Sequence, residues 1–147
     1  MSEQAGCVRE QNLAPGVLRW TLDHPRKRNA LTPAMLAWLE RRAAELRGEV
    51  VLLTGAGDTS FCAGFDLDAL PQQDPGALAD APDAPLFAAT AALRRADATT
   101  VAVLHGHVFG AGVELACSCD LRIARADARF VIPAARLGVV YHAAGVD

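Results

Sequence analysis

The segment Phe109 to Asp120, FGAGVELACSCD, constrains the fold of this chain more than any other. A Gly-Ala-Gly turn runs straight into a helical pattern of apolar and small residues, which carries one carboxylate, Glu114, on its first turn. A helix start leaves its first backbone N–H groups without intrahelical partners, and these project from the helix end together with the positive pole of its dipole. Gly110 and Gly112 allow a ligand to approach the backbone between them, so the Ala111 N–H is a candidate donor to an oxyanion. The same glycines would equally serve a strand-to-helix turn that packs closely and binds nothing.

A second stretch has the same form. Phe61 to Leu70, FCAGFDLDAL, follows the loop GAGDTS and joins a glycine turn to a short helical pattern, with Asp66 as its N-cap. The Phe65 N–H is then a second candidate donor, again at a helix start. Two fixed amides aimed at one oxygen are what a thioester enolate needs, and each such donor is typically worth about 2.7–4 kcal/mol in the transition state.

The alternation of elements between these turns points to an α/β fold. Val17 to Leu22 alternates as a strand and is stopped by Asp23, His24 and Pro25; Arg26, Lys27 and Arg28 follow as a charge run suited to a solvated loop. Thr32 and Pro33 read as N-cap and N1 of a helix continuing to about Arg47, with Met35, Leu39, Ala43 and Leu46 on its core face. Glu49 to Thr54 is an almost unbroken apolar run, as expected of a strand covered on both sides. Leu70 to Pro85 is rich in Pro, Asp, Ala and Gln and reads as a loop of lid length. A helix over Leu86 to Arg95 with Leu86, Thr90 and Leu93 inward, and a buried strand over Thr100 to Leu104, lead back to the central turn. Leu121 to Ala124 and Ala128 to Ile132 are short strand-like segments, the second ended by Pro133.

Composition narrows the class. The 147 residues suffice for one domain, 1–147, and show no repeat or linker. A net charge of −3 argues against nucleic acid as a partner. No apolar run has the length of a membrane span and the first residues lack a signal pattern, so a cytoplasmic enzyme is the expectation. Cys7, Cys62, Cys117 and Cys119 are too few and too irregular for a disulfide framework, and they read as small packing residues, with no metal site expected.

Three strings, HPRKRNAL at 24–31, FCAGFDL at 61–67 and GHVFGAGVELACSCDLRIARADARF at 106–130, stand in the order and spacing of a known family. From about Val17 onward the chain resembles the crotonase, or enoyl-CoA hydratase/isomerase, superfamily. The resemblance implies a spiral of strand-strand-helix turns acting on acyl-CoA thioesters in fatty acid metabolism, with coenzyme A entering as part of the substrate and no separate cofactor. It implies that Phe65 and Ala111 are the oxyanion amides, and that Glu114 holds the place of a glutamate that in hydratases works with a second one to deliver water. It also places Arg26, Lys27 and Arg28 beside the coenzyme A phosphates, with Ala63 and Asp66 in the coenzyme site.

Two departures qualify what the resemblance implies. The family's Pro-Glu pair falls on Pro133 and Ala134, and alanine cannot transfer a proton. Tyr141 and His142 follow where other members place reaction-specific groups, and LGVVYHAAG resembles a segment of methylmalonyl-CoA decarboxylase, with a tyrosine matching Tyr141. One glutamate in place of two favours isomerisation or decarboxylation over hydration. The chain also stops before the family's C-terminal helical part, which closes the acyl site and builds trimers or hexamers. The alternative to an enzyme is therefore a truncated, non-catalytic homologue that at most binds acyl-CoA.

Overall fold

The structure, a computed structural model, describes residues 5–69 and 84–133. Its elements are β1 (Cys7–Ala14), β2 (Val17–Asp23), α1 (Pro33–Ala44), β3 (Arg47–Gly55), β4 (Ser60–Cys62), α2 (Ala84–Arg95), β5 (Asp97–Leu104), β6 (His107–Phe109), α3 (Ala111–Cys117), β7 (Leu121–Ala124) and β8 (Arg129–Val131), with 3-10 turns at Pro25–Lys27 and Leu67–Ala69. A larger sheet has the order β1-β2-β3-β5-β7 and a smaller one the order β4-β6-β8. Among the described strands the β1–β2 hairpin is antiparallel and the other strand pairs are parallel, with an isolated antiparallel bridge between Ser60 and Gly106.

Parallel neighbours need a crossover; β2 reaches β3 through the Pro25–Lys27 turn and α1, and the next two crossovers share a longer pattern. From β3 the chain passes through β4 to α2, and from β5 through β6 to α3; β7 and β8 begin the motif again. Each long strand thus joins the larger sheet and each short one the smaller. This is the spiral of strand-strand-helix turns that the family resemblance implies.

One face of the larger sheet, with Leu18, Trp20, Leu22, Val51 and Leu53, packs with Met35, Leu36, Leu39 and Ala43 of α1 and Leu86, Ala89 and Leu93 of α2 in a single buried cluster. Trp20 meets Trp38 edge-on at 5.1 Å and donates its indole N–H to Glu10 at 2.7 Å. Thr32 caps α1, its hydroxyl accepting from the Met35 N–H at 3.2 Å.

Several expectations need correction. β1 was not foreseen, because seven of its eight residues are exposed and CVREQNLA shows no alternation to read. α1 stops at Ala44 rather than near Arg47, since Leu46 already turns into the core and Arg47 opens β3. β3 is covered on one side only, with Val51, Leu53 and Gly55 buried and Val50, Leu52 and Thr54 partly exposed. Phe61 and Cys62 form a strand, and the helical turn begins only at Leu67. Cys62 and Cys119 are buried packing residues as expected, whereas Cys7 and Cys117 are exposed. Most of the loop expected over 70–85 lies outside the described residues, and α2 begins two positions earlier than anticipated.

Candidate active site

The two glycine turns meet. A Cβ built on Gly64 would lie 3.3 Å from the Phe109 carbonyl oxygen and 3.8 Å from the Ala111 nitrogen, and one built on Gly110 would lie 3.9 Å from the Gly64 Cα. A side chain at 64 would press on the Phe109 carbonyl, and both backbones have positive φ, +100° and +52°, a conformation that strains any L side chain at 64 or 110. The contact sets Gly64, the residue before Phe65, beside the Ala111 nitrogen.

The Phe65 amide is oriented by a one-residue parallel bridge to Leu31. The Leu31 N–H donates to the Gly64 carbonyl at 2.7 Å, and the Asp66 N–H donates to the Leu31 carbonyl at 2.9 Å. Successive groups alternate in an extended segment, so the N–H of Phe65 itself faces away from Leu31. Phe65 precedes the helical turn by two residues, a small correction to its expected place at a helix start. Ala111 is the first residue of α3, and no side chain caps that end of the helix.

Behind the turns, Gly112 packs on β4. A Cβ there would come within 2.8 Å of the Cys62 Cβ and 2.9 Å of the Cys62 carbonyl oxygen. The buried Cys62 sulfur accepts from the Gly64 N–H at 3.4 Å, and burial pushes the thiol up to about 12, so it is a neutral packing group. Glu114 is half-buried on the first turn of α3. Its helix is tied down at the far end, where Asp120 accepts from the N–H and hydroxyl of Thr100 at 2.7 and 2.8 Å. The Thr100 N–H chiefly, then its hydroxyl, holds the Asp120 carboxyl below its ordinary value.

The basic loop runs alongside the Phe65 turn. Arg26 and Arg28 are exposed, and Arg28 sits in the left-handed region at φ +52°. Lys27 reaches across with its ammonium 2.7 Å from Asp66 Oδ1 and 2.9 Å from Asp68 Oδ2. These contacts raise the Lys27 pKa, the hydrogen bond to Asp66 contributing most, and Lys27 in turn lowers that of Asp68. Asp66 is also the N-cap of the Leu67–Ala69 turn, as expected, accepting from the Asp68 N–H at 3.2 Å. The Ala63 N–H donates to the Arg28 carbonyl at 3.1 Å, a second tie between the loops.

Sequence reasoning missed the residues that brace this loop. Asn29, buried at φ +58°, accepts from the His24 N–H at 3.0 Å and donates to the Ala56 and Ser60 carbonyls at 2.9 and 2.8 Å. The His24 ring nitrogen Nδ1 lies 3.2 Å from the Ala30 carbonyl oxygen, close enough for an N–H there to donate. An asparagine directly after a basic run and before a helix was the available signal, since asparagine tolerates the left-handed region. Tyr141, His142 and Ala134 lie outside the described residues. Among the described residues no group of His, Cys, Asp or Glu is arranged to hold a metal. A cleft of about 570 Å³ opens elsewhere, over β1 to β3; its Arg9 and Arg19 are engaged with Asp23 and Gln11.

The chain as a whole also matches known proteins. The family model described as enoyl-CoA hydratase/isomerase matches residues 12–147. The chain belongs to this family. It is 36% identical over 131 residues to the protein of Mycobacterium tuberculosis named probable enoyl-CoA hydratase echA6, covering 86% of this chain and 50% of that one. Carnitinyl-CoA dehydratase of Proteus mirabilis is 39% identical over 101 residues, 66% of this chain and 36% of the relative. A solved enoyl-CoA hydratase/isomerase family member superposes with a TM-score of 0.83 at 30% identity, over 99% of this chain and 57% of that one. A Thermobifida fusca homologue, assigned as an enoyl-CoA hydratase and solved in complex with acetoacetyl-CoA, superposes at 0.72 with 33% identity over 90% of this chain and 56% of that one. The chain spans about half the length of such relatives.

Proposed function

We propose that the protein binds acyl-CoA thioesters and stabilises a thioester enolate between the N–H groups of Phe65 and Ala111. The observation that carries this reading is the contact of the Gly64 and Gly110 turns, which brings together one amide turned away from its bridge and one at an uncapped helix start. Fixed donors at a developing oxyanion need no reorganisation during the reaction. Glu114, on the same short helix as Ala111, takes or returns the proton at the carbon beside the thioester carbonyl. Arg26 and Arg28 meet the coenzyme A phosphates as exposed cations, and Ala63 and Asp66 frame the coenzyme side of the turn.

The position of Ala134 in place of a second glutamate makes isomerisation or decarboxylation the favoured reaction, with Tyr141 and His142 as further acid/base groups. In decarboxylation the C–C bond breaks, its electrons enter the enolate, carbon dioxide leaves and a proton is then delivered to carbon. In isomerisation one proton leaves and another is added further along the chain. Calorimetry with acetyl-CoA and turnover of crotonyl-CoA, methylmalonyl-CoA and a 3-enoyl-CoA test the reading. Little hydration of crotonyl-CoA is expected; efficient hydration that is insensitive to Tyr141→Phe would overturn the reaction assignment.

The second reading, a homologue that at most binds acyl-CoA, is favoured by the exposure of Leu121, Ile123 and Phe130 on the edge strands. Acetyl-CoA binding with no turnover of any of the three substrates would select it.

A further inference from the structure

The basic loop contains one cation that differs from its neighbours. Arg26 and Arg28 project into solvent, while Lys27 bends back over the Phe65 turn onto Asp66 and Asp68. Asp66 is only 6% exposed, and a carboxylate removed from water must be hydrogen-bonded or paired to remain charged. Its Oδ1 has two partners among the described residues, the Lys27 ammonium and the Asp68 N–H. The second partner belongs to the same turn, so among the described residues Lys27 alone joins this carboxylate to another part of the chain. Asp66 follows Phe65 directly, and its N–H makes one of the two hydrogen bonds of the Leu31 bridge that orients the Phe65 amide.

We propose that Lys27 is a positioning residue for the oxyanion amide of Phe65 and not a phosphate ligand. Its ammonium pins Asp66, Asp66 holds the Leu31 bridge, and the bridge fixes the direction of the Phe65 N–H. Without the ammonium, the buried carboxylate reaches water by opening the turn, and the amide loses its aim. The inference rests on the oxyanion reading above, so its test includes a measurement that needs no ligand.

Lys27→Met keeps the aliphatic stem and removes the charge. Amide hydrogen exchange on the unliganded chain is expected to quicken on the order of tenfold at Asp66 and Ala69, while Leu36 in α1 is unchanged. Lys27→Arg should keep the slow exchange, and adding Asp66→Asn to Lys27→Met should recover it, because no buried charge is then left without a partner. In calorimetry, Lys27→Met is expected to abolish the preference for acetyl-CoA over free coenzyme A and to leave coenzyme A affinity within about twofold, since only the thioester carbonyl uses the amide. Unchanged exchange at Asp66 and Ala69, equal quickening at Leu36, or a parallel loss of coenzyme A and acetyl-CoA affinity would each overturn the proposal. A wild-type chain that binds neither ligand would sink the oxyanion reading, and the exchange rates would still decide whether Lys27 is the clamp.

Discussion

Asn29 is a residue on which three stretches of chain converge, and its cost of removal can be argued atom by atom. Alanine there orphans the His24 N–H and the Ser60 and Ala56 carbonyls, the first two deep in the protein. Each buried orphan costs about 1–3 kcal/mol, and an ordinary side chain at φ +58° adds about 1–2 kcal/mol. Asn29→Ala is therefore expected to lower stability by roughly 3 kcal/mol or more, read from the urea midpoint. A shift below about 1 kcal/mol would show that water replaces these bonds. The cysteines give a second test. Burial raises Cys62 to about 12 and Cys119 to about 11, so both remain neutral thiols at ordinary pH. Cys7 and Cys117 are expected to react with a thiol reagent in the native protein, and Cys62 and Cys119 only on unfolding. Glu114→Gln keeps the shape of the side chain and removes its proton-transfer capacity. On any substrate the parent turns over, kcat should fall by about 10²–10⁴ with acyl-CoA affinity little changed, and wild-type turnover would exclude Glu114 from the chemistry.

Elements carry these residues, and α3 is held closely enough that one methyl group displaces it. Gly112→Ala places a Cβ 2.8 Å from the Cys62 Cβ and 2.9 Å from its carbonyl oxygen, and the backbone atom cannot swing aside. The substitution should cost about 1–3 kcal/mol and weaken acetyl-CoA binding more than free coenzyme A binding, because it shifts the Ala111 amide. The loop pair around Lys27 has its own pH window. Asp68 is lowered from 3.8, so its contribution is complete above that value and is lost as pH falls through the lower folded one. Lys27 is raised from 10.5, so its contribution is complete below that value and is lost as pH rises through the higher folded one. Amide chemical shifts of residues 66–69 should accordingly stay flat from about pH 5 to about pH 9 and move only outside it. How far such elements could be read from the chain depended on local signals. α1 announced itself through Thr32, Pro33 and an apolar stripe, and β5 through its apolar run. β1 had no such signal, because its pairing with β2 comes from backbone hydrogen bonds that its polar side chains do not disclose. In the site, the glycine turns were legible as backbone geometry. The Lys27–Asp66 pair was not, because it joins residues 39 positions apart whose contact exists only after the spiral closes.

At the scale of the whole molecule, the strands β7 and β8 close the two sheets on one side with much of their apolar surface uncovered. Leu121, Ile123 and Phe130 are 56%, 63% and 52% exposed on the terminal strands of the sheets, and Ile132, just after β8, is 55% exposed. Leu121 and Ile123 alternate with Arg122, whose guanidinium turns instead to the Cys119 carbonyl at 2.7 Å. An edge strand offers unpaired backbone groups, and apolar side chains beside it make association favourable in water. The chain studied alone is therefore expected to self-associate with rising concentration. Replacing Ile123 and Phe130 together by lysine should suppress this while leaving the unfolding midpoint within about 0.5 kcal/mol, because neither side chain belongs to the buried cluster. Sedimentation velocity across a concentration series, with urea unfolding on the same samples, checks both halves. A wild-type chain that remains monomeric throughout, and unfolds cooperatively, would show that these strands tolerate water. That result would also remove the observation favouring the non-catalytic reading, leaving acyl-CoA turnover as the expectation to be measured.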